Sequence, residues 1–289
     1  MEKCTLCPRE CKIDRSTSKG FCGVGDKILI SKIMLHHWEE PSISGTRGSG
    51  AIFFGGCPLK CVYCQNKEIS HGGHGKEYTV SSLADAILKL QSDGAHNVNL
   101  VTPTHYSDKI IEVLEKIKNE LKIPVVYNTS GYEKPEIIEK IADHVSTFLV
   151  DIKYFSPELS EKYSCCKDYY SYAKSSFGKM LSAKPMCVFD EDGIMTSGVI
   201  LRHLVLPSHR LDSINILEDI KKDFDVSSFK LSLMSQYTPD FYEGDYKSLK
   251  RKITSFEYDS VVARALSLGY DGYIQEKSSA TKIYTPDFN

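Results

Sequence analysis

The chain has 289 residues, 41% hydrophobic and 26% charged, with 36 basic against 38 acidic side chains and a formal net charge of −2. That length and composition describe a globular chain with a sizeable core, and the near-neutral balance argues against a nucleic-acid or membrane-surface field. No apolar run approaches the roughly 18 residues of a membrane span, and Met1-Glu2-Lys3-Cys4 opens no hydrophobic signal segment, so a cytoplasmic location is expected.

The first feature along the chain is a lead rich in cysteine: Cys4, Cys7, Cys11 and Cys22, followed by Cys57, Cys61 and Cys64. In a reducing compartment such clusters read as metal or catalytic ligands rather than a disulfide framework. Cys4-x2-Cys7-x3-Cys11-x10-Cys22 supplies four thiolates, enough to close a tetrahedral site; zinc and an iron–sulfur cluster both fit the spacing. Residues 26–35 carry a period-2 apolar set in Ile28 and Ile30, with Ile33 beyond, predicting a short strand or hairpin, and residues 40–50 read as turn and loop. A Cys-rich extension over 1–48 and a catalytic body over 49–289 are the expected domains.

The body opens with a buried strand, Ala51-Ile52-Phe53-Phe54, that ends in Gly55-Gly56. Val80, Leu83, Ala84, Ile87 and Leu88 then mark a helix that Ser81 or Ser82 can cap. Strands follow at 98–101, 125–127, 147–152, 199–206 and 229–234, with helices at about 110–121, 134–143, 211–222 and 256–268. Six rounds of strand and helix predict an α/β fold, a partial (β/α)6 TIM-like barrel with its chemistry at the strand ends. Ser70 to Lys76 reads as a mobile glycine-rich loop, and the basic run 247–252 as a solvated helix start. Cys165, Cys166 and Cys187 read as small buried side chains, and His36, His37, His71, His74 and His209 as exposed or structural.

Cys57-Pro58-Leu59-Lys60-Cys61-Val62-Tyr63-Cys64 follows the first body strand directly. Its C-x3-C-x2-C spacing is not that of a ferredoxin, and three thiolates on four irons leave one iron open to a chelating ligand; zinc with a distant fourth ligand is the alternative. With Tyr63 before the last cysteine, the loop resembles the cluster loop of the radical S-adenosylmethionine (SAM) superfamily. The longer string FFGGCPLKCVYCQN is similar to its pyruvate formate-lyase activating enzyme branch. CTLCPRECKIDR, GFCG, HHWEEPSISG and GSGAIFFGGC resemble a subfamily of activating enzymes with an N-terminal Cys-rich motif. TPTHY, NTSGY, DIKY and RHLVLP follow in the same order.

The resemblance implies a [4Fe–4S] cluster on Cys57, Cys61 and Cys64, with SAM on the open iron. Reductive cleavage of SAM to a 5′-deoxyadenosyl radical and hydrogen abstraction would follow. It also implies an electron donor of flavodoxin or ferredoxin type. The substrate would be a glycyl-radical enzyme or, alternatively, another protein, a peptide or a small molecule. A non-catalytic iron–sulfur or zinc protein would leave the strand-end residues unexplained. In Thr102 to Tyr106 the family's Gly-Gly-Glu is absent, and Thr104 and His105 are the polar candidates. Asn128-Thr129-Ser130-Gly131 resembles the branch's Asp-Thr-Asn-Gly, which nominates Asn128 and Ser130. Asp151-Ile152-Lys153 resembles Asp-Leu-Lys, with Lys153 toward the SAM carboxylate and Asp151 orienting it. Arg202 and His203 interrupt an apolar strand; buried charge needs a partner, so one should face the barrel mouth, and Arg202 is expected to do so near the SAM carboxylate. Tyr63, Met234, Gln236 and Tyr237 complete the candidate cofactor contacts.

Overall fold

The computed structural model describes residues 3–72, 74–276, 286 and 288. Its strands form a ten-stranded sheet whose main path runs β10-β9-β8-β6-β5-β4-β2-β1-β3 without closing on itself. Seven strands are parallel: β2 (Ser49–Phe54), β4 (Val98–Val101), β5 (Val125–Thr129), β6 (Thr147–Asp151), β8 (Met195–Leu204), β9 (Lys230–Met234) and β10 (Gly272–Ile274). Helices α3 (Val80–Ser92), α4 (Ser107–Ile117), α5 (Pro135–Ile141), α7 (Tyr169–Ala183), α8 (Arg210–Asp223) and α9 (Ser255–Ser267) cross between them. This is the expected partial (β/α)6 barrel with one further parallel strand.

The lead contributes a strand of its own. β1 (Ile28–His36) pairs antiparallel with β2 on one side and with β3 (Lys76–Tyr78) on the other. The short helix α1 (Pro41–Ser44) follows β1, and Tyr273 of β10 donates its hydroxyl to Ser42 at 2.7 Å, tying the last strand to it.

Strand residues alternate between two environments, as the pleat requires. Val98, Leu100, Tyr127, Phe148, Val150, Val199, Leu201 and Leu231 belong to the large core beneath the helices. The other set points into the barrel. Val126, Leu149, Met195 and Ile200 pack there against Ile43 of α1, which fills the lumen. Beside this apolar layer the same inward positions carry Asn99, Asn128, Asp151, Arg202 and Ser232, all buried or nearly so. An apolar plug and a polar layer therefore share one lumen, and the polar layer adjoins the open mouth.

Several local expectations change. Thr79, not Ser81 or Ser82, caps α3: its side chain accepts from Ser82 N–H while the Ser82 hydroxyl accepts from Thr79 N–H. Such a reciprocal cap contributes about 1 kcal/mol. The glycine-rich stretch is partly helical, in α2 (Lys67–Gly72), and Gly73 lies outside the described residues. The basic run forms a 3-10 turn over Lys247–Lys250, and α9 begins only at Ser255 behind its own Thr254/Glu257 capping box. Helices α6 (Pro157–Ser164) and α7 escape the sequence pattern because tyrosine and serine occupy their inner faces. The hairpin strand β7 (Val188–Phe189) has only two residues. Cys165 is exposed, at the left-handed C-cap of α6 (φ 49°), whereas Cys166 is buried and Cys187 half-buried.

Candidate functional site at the barrel mouth

Past Phe54 the chain leaves β2 through Gly55 and Gly56, whose N–H groups donate to Leu29 and Ile69 carbonyls at 2.8 Å. The three cysteines then turn around the mouth. Leu59 N–H points at Cys57 Sγ (3.4 Å), the Ser164 hydroxyl at Cys61 Sγ (3.0 Å) and the Ser70 hydroxyl at Cys64 Sγ (3.4 Å). Each sulfur thus faces a donor, the environment that favours a thiolate bound to metal. Without metal, burial pushes the Cys57 thiol up to about 12 and raises Cys64 as well, in both cases helped by the neighbouring thiols. Ligation would therefore release protons from thiols that burial otherwise keeps neutral. Among the described residues no three His, Cys, Asp or Glu side chains converge as ligands of one ion would. Tyr63 is buried in an aromatic nest of Tyr154, Tyr163 and Tyr237, with ring centroids 6.1–6.4 Å away.

One cavity joins the cysteine loop to the polar layer. It is lined by all three cysteines and by Asn128, Ser130, Asp151, Lys153 and Arg202, with Gln236 and Tyr237 on the β9 side. Arg202 does face the mouth. His203, one residue on, is buried toward the helices between the Ile152 carbonyl (2.6 Å) and Ser213 (2.8 Å). All three guanidinium nitrogens are engaged: Nε on Asp151 (2.8 Å), Nη1 on Glu39 (3.0 Å) and Nη2 on the Asn128 side-chain oxygen Oδ1 (2.7 Å). Lys153 bonds the other Asp151 oxygen at 2.6 Å. Burial works to raise the Asp151 carboxyl, but Arg202 and Lys153 outweigh it and hold it below the usual carboxylate range. The same attraction outweighs burial at Lys153 and keeps its ammonium charged.

Glu39 is the residue that the sequence reading missed. It enters from the β1–α1 connection, and its second oxygen accepts from the Asn99 (3.0 Å) and Asn128 (3.2 Å) amides. A lumen carboxylate thus exists although the Gly-Gly-Glu position has none. The signal available was the pair Glu39-Glu40 inside the HHWEEPSISG string, which marks the subfamily resemblance but assigns neither carboxylate a role. Glu40 is also buried; burial raises its carboxyl despite Arg202 nearby.

Thr104 and His105 lie elsewhere. The Thr104 hydroxyl turns away from the cavity to Glu133 (2.6 Å), and His105 Nε2 bonds the Gly55 carbonyl (2.9 Å), bracing the glycine turn. Gln236 accepts from Gln275 at 3.0 Å, and the Tyr237 hydroxyl donates to Leu249. Ser130 keeps a buried hydroxyl with no partner among the described residues, on the cavity wall.

Glu133, fully buried behind the strand ends, accepts from Thr104, Thr129 (2.5 Å) and Tyr127 (3.4 Å). Burial dominates and lifts its carboxyl from 4.5 to about 7. The folded state therefore holds a proton that the unfolded chain has released, so stability falls as pH rises from about 4.5 to 7 and then levels. The expected loss is about 3 kcal/mol. Glu133→Gln should flatten that segment in urea-unfolding midpoints measured from pH 4 to 8; an unchanged slope would assign it to other groups.

Residues 51–181 match the profile described as the Radical SAM superfamily. An uncharacterized protein of Methanocaldococcus jannaschii is 30% identical over 285 residues, covering 93% of this chain and 77% of that protein. A second protein of the same organism, provisionally named a glycyl-radical enzyme activating enzyme, is 28% identical over 258 residues, 83% of this chain and 98% of its own length. The crystal structure of Streptococcus suis SuiB bound to S-adenosylmethionine superposes with a TM-score of 0.50 at 14% identity over 76% of this chain. That likeness concerns the fold, and the chain spans about half of SuiB, 48%. Among the described residues no helix is long and apolar enough to cross a membrane.

Proposed function

Since the chain belongs to the radical SAM superfamily, we propose that its barrel mouth holds a [4Fe–4S] cluster on Cys57, Cys61 and Cys64 with S-adenosylmethionine beside it. The observation that carries this reading is the single cavity shared by three thiols and by the Asp151–Lys153–Arg202 set. When bound, the cluster supplies the electron that cleaves the sulfonium of SAM to methionine and a 5′-deoxyadenosyl radical. The protein binds, orients and excludes water.

Lys153 is the cation for the SAM carboxylate, because its ammonium has one partner whereas Arg202 already has three. Arg202 and Glu39 instead hold Asn128 and Asp151 in place. The unpartnered Ser130 hydroxyl is free to meet the amino-acid end of SAM. Gln236, with Met234 and Tyr237, forms the wall for the adenine. Behind the mouth, the apolar layer around Ile43 keeps the lumen dry.

The substrate reading follows the relatives: hydrogen abstraction from a glycine of a partner enzyme, with a flavodoxin- or ferredoxin-type protein supplying electrons. Modification of another protein, peptide or small molecule uses the same mouth. Cys4, Cys7, Cys11 and Cys22 are proposed as a second metal site, for zinc or iron–sulfur. The test is anaerobic reconstitution, addition of dithionite and SAM, and assay of 5′-deoxyadenosine. Its formation is expected; none from a fully loaded, reducible cluster would overturn the reading.

A further inference from the structure

Helix α6 ends against the three-cysteine loop. Val62 N–H donates to the Tyr163 carbonyl at 2.9 Å, and the Arg9 guanidinium bridges the Pro58 (2.8 Å) and Ser164 (2.9 Å) carbonyls. Cys165 closes the helix in the left-handed region, with its N–H on the Glu161 carbonyl. These bonds fix Ser164 with its hydroxyl 3.0 Å from Cys61 Sγ, closer than the 3.4 Å of the donors that face Cys57 and Cys64. The Ser70 hydroxyl at Cys64 is shared with His71 Nδ1 (3.0 Å). Ser164 is instead backed by Tyr154, whose hydroxyl lies 2.7 Å from Ser164 Oγ.

The direction of these bonds follows from the donors available. Serine has one hydroxyl hydrogen and can give it to Tyr154 or to Cys61, not to both. A metal-bound thiolate has no hydrogen to give. Cys61 is buried, and Ser164 and Tyr154 are completely so. Burial also raises the Tyr154 phenol well above its ordinary range, so its hydrogen stays in place. One arrangement satisfies all three groups: Tyr154 donates to Ser164, and Ser164 donates to Cys61. Donors in series polarise one another in a low-dielectric interior, which strengthens the last bond. Tyr154 comes from the same strand end as Asp151 and Lys153. Those two line the cavity, whereas Tyr154 turns behind the loop into the nest around Tyr63.

We propose that Tyr154 and Ser164 are positioning residues that direct a hydroxyl relay onto Cys61 Sγ and so raise the reduction potential of the cluster bound by Cys57, Cys61 and Cys64; this rests on the three-cysteine reading above. Reduction adds one electron, from the donor protein, and places more negative charge on the ligand sulfurs. A hydrogen bond aimed at one of them stabilises the reduced form more than the oxidised one. No covalent bond changes, and no proton leaves either hydroxyl.

The test is a potentiometric titration of the reconstituted full chain, followed by the electron paramagnetic resonance of the reduced cluster. Ser164→Ala should hold about four irons and reduce at lower potential. Its reduction constant should fall by roughly tenfold, or about 59 mV for one electron. Tyr154→Phe should shift the midpoint the same way by a smaller amount. Ser164→Thr, which keeps the hydroxyl, should return it to the native value. A native midpoint in Ser164→Ala would overturn the proposal, and so would a Ser164→Thr as low as Ser164→Ala, which would make the effect one of packing. Should Ser164→Ala lose its iron, Tyr154→Phe decides alone, because it leaves the serine and the backbone bonds of the loop in place. An unshifted midpoint there overturns the relay. A native chain that binds iron but gives no reducible signal would instead sink the three-cysteine reading.

Discussion

Cys57→Ala/Cys61→Ala/Cys64→Ala is expected to lose about four irons per chain and to bring 5′-deoxyadenosine formation to background. The fold should survive. The loop is held by backbone bonds that the substitutions leave intact, from Gly55 to Leu29, Gly56 to Ile69 and Val62 to Tyr163. Far-ultraviolet circular dichroism of the variant should therefore match the native chain. Iron analysis and the deoxyadenosine assay on one preparation check the result together. A variant that stays folded and still makes deoxyadenosine would move the cluster off these cysteines.

Lys153→Met and Arg202→Met should separate binding from stability, although the two cations share Asp151. In Lys153→Met the Arg202 bonds to Asp151, Glu39 and Asn128 persist, so the fold loses little. The charge-assisted bond to the SAM carboxylate disappears, at about 1.5–3 kcal/mol, or roughly ten- to a hundredfold in Kd. Arg202→Met leaves the Glu39 carboxylate buried with two amides and no cation, and Asp151 with Lys153 alone. Breaking a buried pair in this way costs about 3–5 kcal/mol. Urea unfolding and SAM titration of the loaded variants read the two effects. A stable Arg202→Met that has lost SAM would make Arg202, and not Lys153, the carboxylate's partner.

Much of the molecule was legible in the chain because its signals are local. The cysteine loop needs only its own spacing and the strand before it. The parallel strands read as apolar runs because both faces are covered, and a charge within such a run, as at Arg202, must turn toward a polar interior. Thr104 and His105 show the limit. They sit at a strand end like Asn128, yet the backbone turns one to Glu133 and the other to Gly55. Helices α6 and α7 stayed hidden for a compositional reason, since Tyr163, Tyr169 and Ser176 bury polar atoms that mask the apolar period.

By itself the sequence determined the family, the barrel and the three-thiol loop, all of which depend on residues a few positions apart. Only the tertiary structure decided that Glu39 completes the lumen and occupies Arg202, a partner 163 residues away. Curling of the sheet brings those two together, and no local period encodes it. The same holds for the lead: its cysteines announce a ligand set, but only folding places the Cys22 carbonyl on the Cys57 amide. Side-chain chemistry was written in the chain, and the choice of partner followed from which strand ends and loops packing brought within hydrogen-bond distance.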